Sequence, residues 1–382
     1  IKAPILIPIV AQIWIAPIQM FYFNTFSLYS VFANISTVTL LSVISFGGFV
    51  SSLLSVIPQI ADFVCRIFDF FLNYLLNVLV WISDFWGNLP HSMLVTTHPA
   101  LFQLSLYYFA LLLITLLLKF EKYKKACWVL ICSVFVILAT TITPVSKNLE
   151  VVAFDVGNAD SFMIKTPKGK DFFVDTGKAP YKSGNSQAKI IMLKYLKDRG
   201  IKNLEGVIVT HFDNDHSGGT AEFIENMKVK TLYLNSKEEE TQTAKNIFKT
   251  ANIRNQNVRI VKNADVIYSE PDLKISTFKA KAKGKNKSNE SSTITLLSYK
   301  KFDMLFMGDA GVEAFNQVKY LLPRDVEVLK VGHHGGPNVV DNEMLEYLGV
   351  NTSLISTGVN YFGHPNRGTL DVLRGTEILR TD

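Results

Sequence analysis

Ahead of Asn148 the chain carries only seven Lys and Arg and four Asp and Glu, and Leu, Ile, Val and Phe dominate the remainder. A stretch this apolar cannot form an ordinary water-facing surface. In lipid its backbone must satisfy its own hydrogen bonds, which favours helices. Four runs, Ile5 to Tyr22, Thr37 to Ile57, Pro99 to Leu118 and Ala126 to Ile142, approach the ~20 apolar residues that span a bilayer. Pro8 and Pro17 predict a kink in the first, and Gly47-Gly48 permits close helix contact in the second. A signal peptide would not supply this many segments.

Asp62, Arg66, Asp69, Asn73, Asn77 and Asp84 recur at steps of three, four and seven in a segment otherwise rich in Phe, Leu, Val and Trp. That spacing predicts a helix with one polar stripe. It lies flat at the interface with the stripe in water, the reading preferred here, or spans with the stripe lining a polar path. Between the last two runs, Lys119 to Lys125 holds four lysines in seven residues. A basic loop of this kind favours the cytoplasmic side. The last span then runs outward, which puts everything after Pro144 outside the cytoplasmic membrane.

From Asn148 the chain is mixed in character. The net charge of the whole is +6, too mild to announce nucleic acid by field alone. Cys65, Cys127 and Cys132 all precede Asn148, so the second half has no disulfide framework and no thiolate to offer a metal. Strands are expected at Glu150 to Asp155, Ser161 to Thr166, Asp171 to Asp175, Gly206 to Thr210, Thr231 to Leu234, Val258 to Val261, Leu273 to Phe278, Ser292 to Tyr299, Met304 to Met307, Val326 to Val331 and Ser353 to Ser356. Helices are expected at Ala188 to Lys197, Gly218 to Met227, Thr241 to Ala251, Val312 to Leu321, Asn342 to Tyr347 and Gly368 to Leu373. Ala280 to Ser292 reads as a mobile, lysine-rich loop. The pattern predicts two sheets with helices outside.

One loop carries the chemistry. After Gly206-Val-Ile-Val209 comes Thr210-His-Phe-Asp-Asn-Asp-His-Ser-Gly-Gly219. A strand that delivers His211 and Asp213 to one side, followed by a helix start at Asp215-His216, lets two pairs of ligands face one another. Two divalent cations roughly 3.5 to 4 Å apart are a known use of such geometry. Asp309, His333, His334 and His364 each follow a predicted strand end and are the remaining donors.

The run resembles the metallo-β-lactamase superfamily, whose usual motif is His-x-His-x-Asp-His, with Asp213 here in place of the middle His. Together with Phe154-Asp-Val-Gly157, Val174-Asp-Thr-Gly177, Met307-Gly-Asp309, Lys330-Val-Gly-His-His-Gly335 and Gly363-His-Pro365, it resembles the ComEC-type DNA-uptake proteins of competent bacteria. Departures are Asn158-Ala159 where that family usually reads Gln-Gly, and Gly336 where it reads Ser. The resemblance implies a membrane α-helical bundle followed by an α/β, metallo-β-lactamase-like αββα sandwich, with residues 1–147 a partial channel domain and 148–382 the sandwich. The chain is expected to be part of a longer protein, with sequence missing in front.

The resemblance also implies site roles. His211 and Asp213 bind one metal, Asp215 and His216 the other. Asp309 bridges, and His364 is the late terminal ligand. Asp175 braces the loop, and Asp160 beside it braces or binds. One of His333 and His334 binds metal or phosphate or moves a proton; Asp215, His334 and Asp175 form the catalytic set. The cofactors are two divalent ions, Mn²⁺ favoured over Zn²⁺ because a carboxylate replaces an imidazole. Lys330, Arg367 and the lysine loop could hold flanking phosphates.

The implied function is DNA uptake in natural transformation. A multi-pass protein of the cell membrane would hydrolyse or handle DNA phosphodiesters, single- or double-stranded, in its extracytoplasmic domain. An outer DNA receptor and a cytoplasmic ATPase motor are the implied partners besides the lipid bilayer, and homodimerisation is open. Two other readings compete: a membrane-anchored hydrolase of another phosphoester, and a non-catalytic module that guides DNA. The topology is testable. With Cys65, Cys127 and Cys132 replaced by Ala, a Thr381→Cys variant should react with a membrane-impermeant maleimide in intact cells; labelling only after lysis reverses the orientation.

Overall fold

The computed structural model describes residues 3–141, 148–180, 184–237, 241–281 and 287–382. The chain divides into two compact units, Ile1–Thr143 with Lys197–Gly200, and Pro144–Leu196 with Ile201–Asp382.

The first unit holds helices α1 (Ala3–Phe23), α2 (Ser30–Leu54), α3 (Pro58–Gly87), α4 (Leu101–Lys119) and α5 (Tyr123–Thr141), with a two-stranded ribbon of β1 (Thr25–Ser27) and β2 (Met93–Val95). Leu6–Phe23, Ser30–Leu54, Pro58–Gly87 and Leu101–Lys119 are each long and apolar enough to cross a membrane. The segment expected at Ala126 to Ile142 forms α5, with Ile142 outside the described residues. The polar stripe lies on α3: Asp62, Arg66, Asp69, Asn73, Asn77 and Asp84 are all exposed. Its 30 residues and composition suffice to cross a bilayer as well as to lie along one.

α1 shows how a proline is accommodated without water. Pro17 has no N–H to give the carbonyl of Ile13, four residues earlier, and its ring crowds that turn. The Tyr107 hydroxyl donates to Ile13 O at 2.8 Å, and the Tyr108 hydroxyl donates to Trp14 O at 2.6 Å. Two consecutive side chains of α4 thus bond carbonyls in the turn before Pro17, the arrangement an apolar surrounding demands. The same bonds fix α4 against α1.

The second unit is the expected sandwich. One sheet has the order β3 (Glu150–Ala153), β4 (Ser161–Lys165), β5 (Asp171–Thr176), β6 (Asn203–Ile208), β7 (Lys228–Leu234), β8 (Val258–Ile260). The other comprises β9 (Asp265–Glu270), β10 (Leu273–Phe278), β11 (Ile294–Tyr299), β12 (Phe302–Phe306), β13 (Val328–Lys330), β14 (Thr352–Ile355) and β15 (Glu377–Arg380), each pairing with the next. Helices α6 (Leu193–Asp198), α7 (Asn214–Ser217), α8 (Thr220–Asn226) and α9 (Gln242–Ile253) come between strands of the first sheet. Helices α10 (Lys287–Glu290), α11 (Val312–Val318), α12 (Asn342–Leu348) and α13 (Arg367–Val372) come between strands of the second.

The period-2 alternation of strand side chains builds three cores. Phe162, Phe172, Val174, Ile208, Met304 and Phe306 enter the layer between the sheets. Their strand neighbours Met163, Phe173 and Val207 pack under Phe223, Leu196 and Ile247. Leu305 and Met307 pack under Phe315, Met344 and Leu348. Strands buried on both faces read as unbroken apolar runs, which is why they were visible in the sequence.

β9 and β15 were not expected. Both are edge strands with exposed polar residues, and edges carry little apolar signal. The loop expected from Ala280 to Ser292 also needs correction. Lys287–Glu290 is a turn of helix, and Glu290 Oε2 accepts from Gly311 N (3.3 Å) and Ala314 N (3.0 Å) at the start of α11. Those bonds tie Glu290 to α11; residues 282–286, with Lys283 and Lys285, lie outside the described residues.

Asp171 opens β5 across from Lys165, which itself pairs with Glu150. Burial pushes its carboxyl up to about 6, the nearby Lys165 opposes and Glu150 adds to the rise. A carboxyl raised on folding favours the folded state below about pH 4 and loses that contribution as pH climbs through about 6. Asp171→Asn should therefore stabilise this unit at pH 7 by about 2–3 kcal/mol. Hydrogen-exchange protection of the sandwich strands reads the gain, which should vanish at pH 4.

Candidate metal centre

The sheets deliver donors from strand ends. Val209 and Thr210 follow β6, and His211 comes next; Asp213 immediately precedes the single turn α7, which carries Asp215 and His216. Gly218 and Gly219 let this turn sit against β5 and its following loop. A Cβ at Gly218 would stand 2.3 Å from Ala179 N, and one at Gly219 2.4 Å from Thr176 O. Asp160 precedes β4 and Asp175 lies in β5. Asp309 follows β12, and His333 and His334 follow β13 in a tight turn. Both residues adopt left-handed backbone, at φ 45° and 53°. Such conformers cost of order 1–3 kcal/mol each and persist only where surroundings impose them. Here His333 N donates to Gly308 O at 3.1 Å.

Three sets of donors interlock: His211, His216 and Asp309; Asp215, His216 and His334; and Asp160, Asp175 and His216. The third is a brace. Asp175 Oδ1 accepts from Thr210 N, and its Oδ2 accepts from Thr210 Oγ1 and lies against His216 Nδ1, all at 2.8 Å. With both oxygens engaged, Asp175 orients rings and loop. His334 Nδ1 bonds the carbonyl of Ser356 at 2.9 Å. His211 Nδ1 meets Thr210 Oγ1 at 3.1 Å and Ser292 Oγ at 3.2 Å.

Each of these three rings is thus held through Nδ1, and the buried Nε2 of each lacks a hydrogen bond, as does Oδ1 of Asp309. Their Nε2 atoms face carboxylates. His216 Nε2 is 2.9 Å from Asp309 Oδ1, an ion-pair distance without hydrogen-bonding angles. His334 Nε2 is 3.4 Å from Asp215 Oδ2, and His211 Nε2 is 3.5 Å from Asp213 Oδ2 and 3.7 Å from Asp309 Oδ2. Ligand atoms about 2.1 Å from one ion, at tetrahedral or octahedral angles, lie about 3.0–3.4 Å apart. Bare Nε2 atoms, Nδ1 atoms fixed from behind and these spacings fit a metal centre. Asp309 offers one oxygen toward His216 and the other toward His211.

The charges agree. Burial would raise the Asp309 carboxyl, but the His216 and His211 rings hold it well below the usual range. Burial likewise opposes ionisation of Asp215, and His334 and His216 bring it down to about 2. Burial would lower His334, yet Asp160, Asp215 and Asp309 raise it to about 9; His216 moves the same way. Carboxylates so placed seek cations, protons on the rings or metal ions displacing them.

His333 and His364 stand beside these sets. His333 Nε2 is 3.8 Å from Asp309 Oδ2, and its ring centroid is 5.1 Å from that of His364. His364 is in none of the three donor sets, and its buried Nδ1 has no hydrogen-bond partner. Thr210, Ser292 and Ser356 were not anticipated as supports. Thr210 was visible as the residue before His211, but Ser292 lies 81 residues from it.

Lys330 corrects an expectation. It is no phosphate-holding surface charge: it is fully buried, and its ammonium contacts Asp160 Oδ2 and donates to Gly308 O at 3.0 Å. Burial opposes ionisation of Asp160, but Lys330, His216 and His334 hold it far below the ordinary range. The pair ties the start of β4 to the end of β13, one from each sheet.

A sandwich of two mixed sheets carrying a buried histidine–carboxylate set at its strand ends defines a metal-centre protein. The chain belongs to the metallo-beta-lactamase superfamily, whose family profile matches residues 154–359. Residues 1–121 match the competence protein family, so the pairing of regions is that of ComEC-type proteins. The chain is similar to ComE operon protein 3 of Bacillus subtilis (strain 168), 26% identical over 396 residues, covering 99% of this chain and 50% of that protein. It is also similar to Recombination protein 2 of Haemophilus influenzae, 29% identical over 257 residues, covering 66% and 30%. The chain therefore spans half the length of the first relative or less. Among solved structures, CmlA, a diiron β-hydroxylase from Streptomyces venezuelae, is similar with a TM-score of 0.40 and 13% identity, covering 62% of this chain and 53% of that one.

Removing one member of a buried ion pair strands the other charge, at about 3–5 kcal/mol. Lys330→Met should destabilise the sandwich by that order, and Lys330→Met with Asp160→Asn should recover more than half. Denaturant unfolding of the full chain, followed by hydrogen exchange in the sandwich, measures both; equal losses would remove the pair's role.

Proposed function

We propose that this protein acts in DNA uptake, as a multi-pass protein of the cell membrane whose sandwich lies on the extracytoplasmic side and hydrolyses DNA phosphodiesters with two divalent ions. The observation that carries the reading is the set of bare Nε2 atoms of His211, His216 and His334 facing Asp309 and Asp215, in a chain whose front matches the competence protein family. Five carboxylates, Asp160, Asp175, Asp213, Asp215 and Asp309, gather about these rings, and one buried ammonium, Lys330, pairs with Asp160. With neutral rings that leaves four negative charges, the complement of two divalent cations.

Bound divalent ions supply hydroxide near neutral pH and offset charge on phosphate oxygens. His211 and Asp213 would hold one ion, Asp215 and His216 the other, with Asp309 between them and His364 as the late ligand. Asp175 holds His216 in the tautomer that presents Nε2, and the Ser356 carbonyl does the same for His334. Asp215, partly exposed beside His334, forms with it the pair that can hold a proton next to a leaving oxygen. The carboxylate-rich set favours Mn²⁺ over Zn²⁺. Phosphate contacts by Arg367 and Lys281 would be sequence-blind, as an uptake nuclease requires. An outer receptor and a cytoplasmic ATPase would deliver and pull the DNA.

The test is cleavage of end-labelled single- and double-stranded oligonucleotides by the purified full chain with Mn²⁺ or Zn²⁺, alongside metal analysis. Asp309→Asn should lose one equivalent of metal and at least about 100-fold in rate, the scale of losing a transition-state charge stabiliser. DNA binding without metal-dependent cleavage would support a guiding module instead.

A further inference from the structure

The loop between β14 and α13 carries Tyr361, the most exposed aromatic side chain among the described residues of the sandwich, and beside it the exposed Phe362. Val359 and Tyr361 are 102% exposed and Phe362 74%. This exposure is not the product of a slack loop. Asn360 uses all four of its hydrogen-bonding positions within the segment. Its Nδ2 donates to Gly358 O and His364 O, both at 2.7 Å, and its Oδ1 accepts from Phe362 N and His364 N, both at 3.1 Å. One side chain thereby fixes the tip and the backbone of His364 together. Rings in water contribute nothing to the fold, so a braced loop that presents them points to a ligand.

The rings lead inward. The Phe362 centroid is 5.9 Å from that of His364, His364 is 5.1 Å from His333, and His333 Nε2 is 3.8 Å from Asp309 Oδ2. Adjacent centroid steps of this size are of the order of one nucleotide along a strand. Arg367, exposed at the first position of α13, adds a cation five residues beyond Phe362.

We propose that Tyr361 and Phe362 form a stacking platform for unpaired bases next to the phosphate at the metal centre, so that the site takes single-stranded nucleic acid without regard to sequence. This deepens the reading of the site as a DNA phosphodiesterase and rests on it. Every base offers a π face, which makes stacking tolerant of sequence, and paired bases in a duplex have their faces covered. A lipid surface is the other ligand that takes exposed aromatics. Interfacial segments combine them with several Lys or Arg, whereas Gly358 to Val372 has Arg367 alone.

The experiment measures binding of the full chain in nanodiscs, in Ca²⁺ to suppress turnover, to a thymidine 20-mer, to the same sugar–phosphate length without bases, and to a blunt duplex. Wild type should bind the 20-mer about tenfold or more tightly than the abasic strand or the duplex. Tyr361→Ala with Phe362→Ala should erase that difference while keeping wild-type metal content, and Tyr361→Trp with Phe362→Trp should keep it. Equal weakening on base-bearing and abasic strands, or none, overturns the platform while leaving the DNA reading intact. Wild type that retains none of the three overturns both. Tyr361→p-benzoylphenylalanine should photocrosslink to the oligonucleotide; capture of phospholipid instead would assign the loop to the bilayer.

Discussion

A carboxylate in an apolar interior stays ionised only beside a cation, and this protein buries Asp160, Asp175 and Asp309 within one cluster. The surrounding architecture follows from that requirement. Lys330 is carried to the end of β13 to meet Asp160; His216 is pinned by Asp175 and turned toward Asp309. The left-handed turn at His333 and His334 and the close backbone approach at Gly218 and Gly219 are local costs accepted to bring rings and carboxylates together.

The sandwich makes such convergence practical. Strands buried on both faces form a stiff frame, and the loops at their ends carry functional side chains positioned by it. Phe162 of one sheet meets Phe306 of the other at 5.3 Å in the middle core, and Asp160 and Asp309 lie a few residues along the chain from that contact. Packing between the sheets thus sets the spacing of the donors. The Lys330–Asp160 pair repeats the link in electrostatic form.

The helical unit meets its own requirement differently. There the threat is an unsatisfied backbone carbonyl, and tyrosines of α4 answer it at Pro17. The exposed stripe on α3 keeps polar groups on one face of a helix whose other residues suit lipid. Both units place polar atoms where apolar surroundings make each one matter, and both use side chains distant in sequence to satisfy them.

Residue order alone dictates the two-part character of the chain, the order of nearly all strands and helices, and the donor types at strand ends. These are local properties: apolar runs, alternation and caps depend on neighbours within a turn or a strand. Edge strands β9 and β15 escaped because an edge buries too little to leave a pattern. Long-range packing is what buries Lys330, sets Ser292 behind His211, brings Asp309 to both His211 and His216, and stands His364 with His333 at the side. Those partners are separated by up to 170 residues, and sheet order and the packing of two sheets, which no local pattern encodes, bring them within reach.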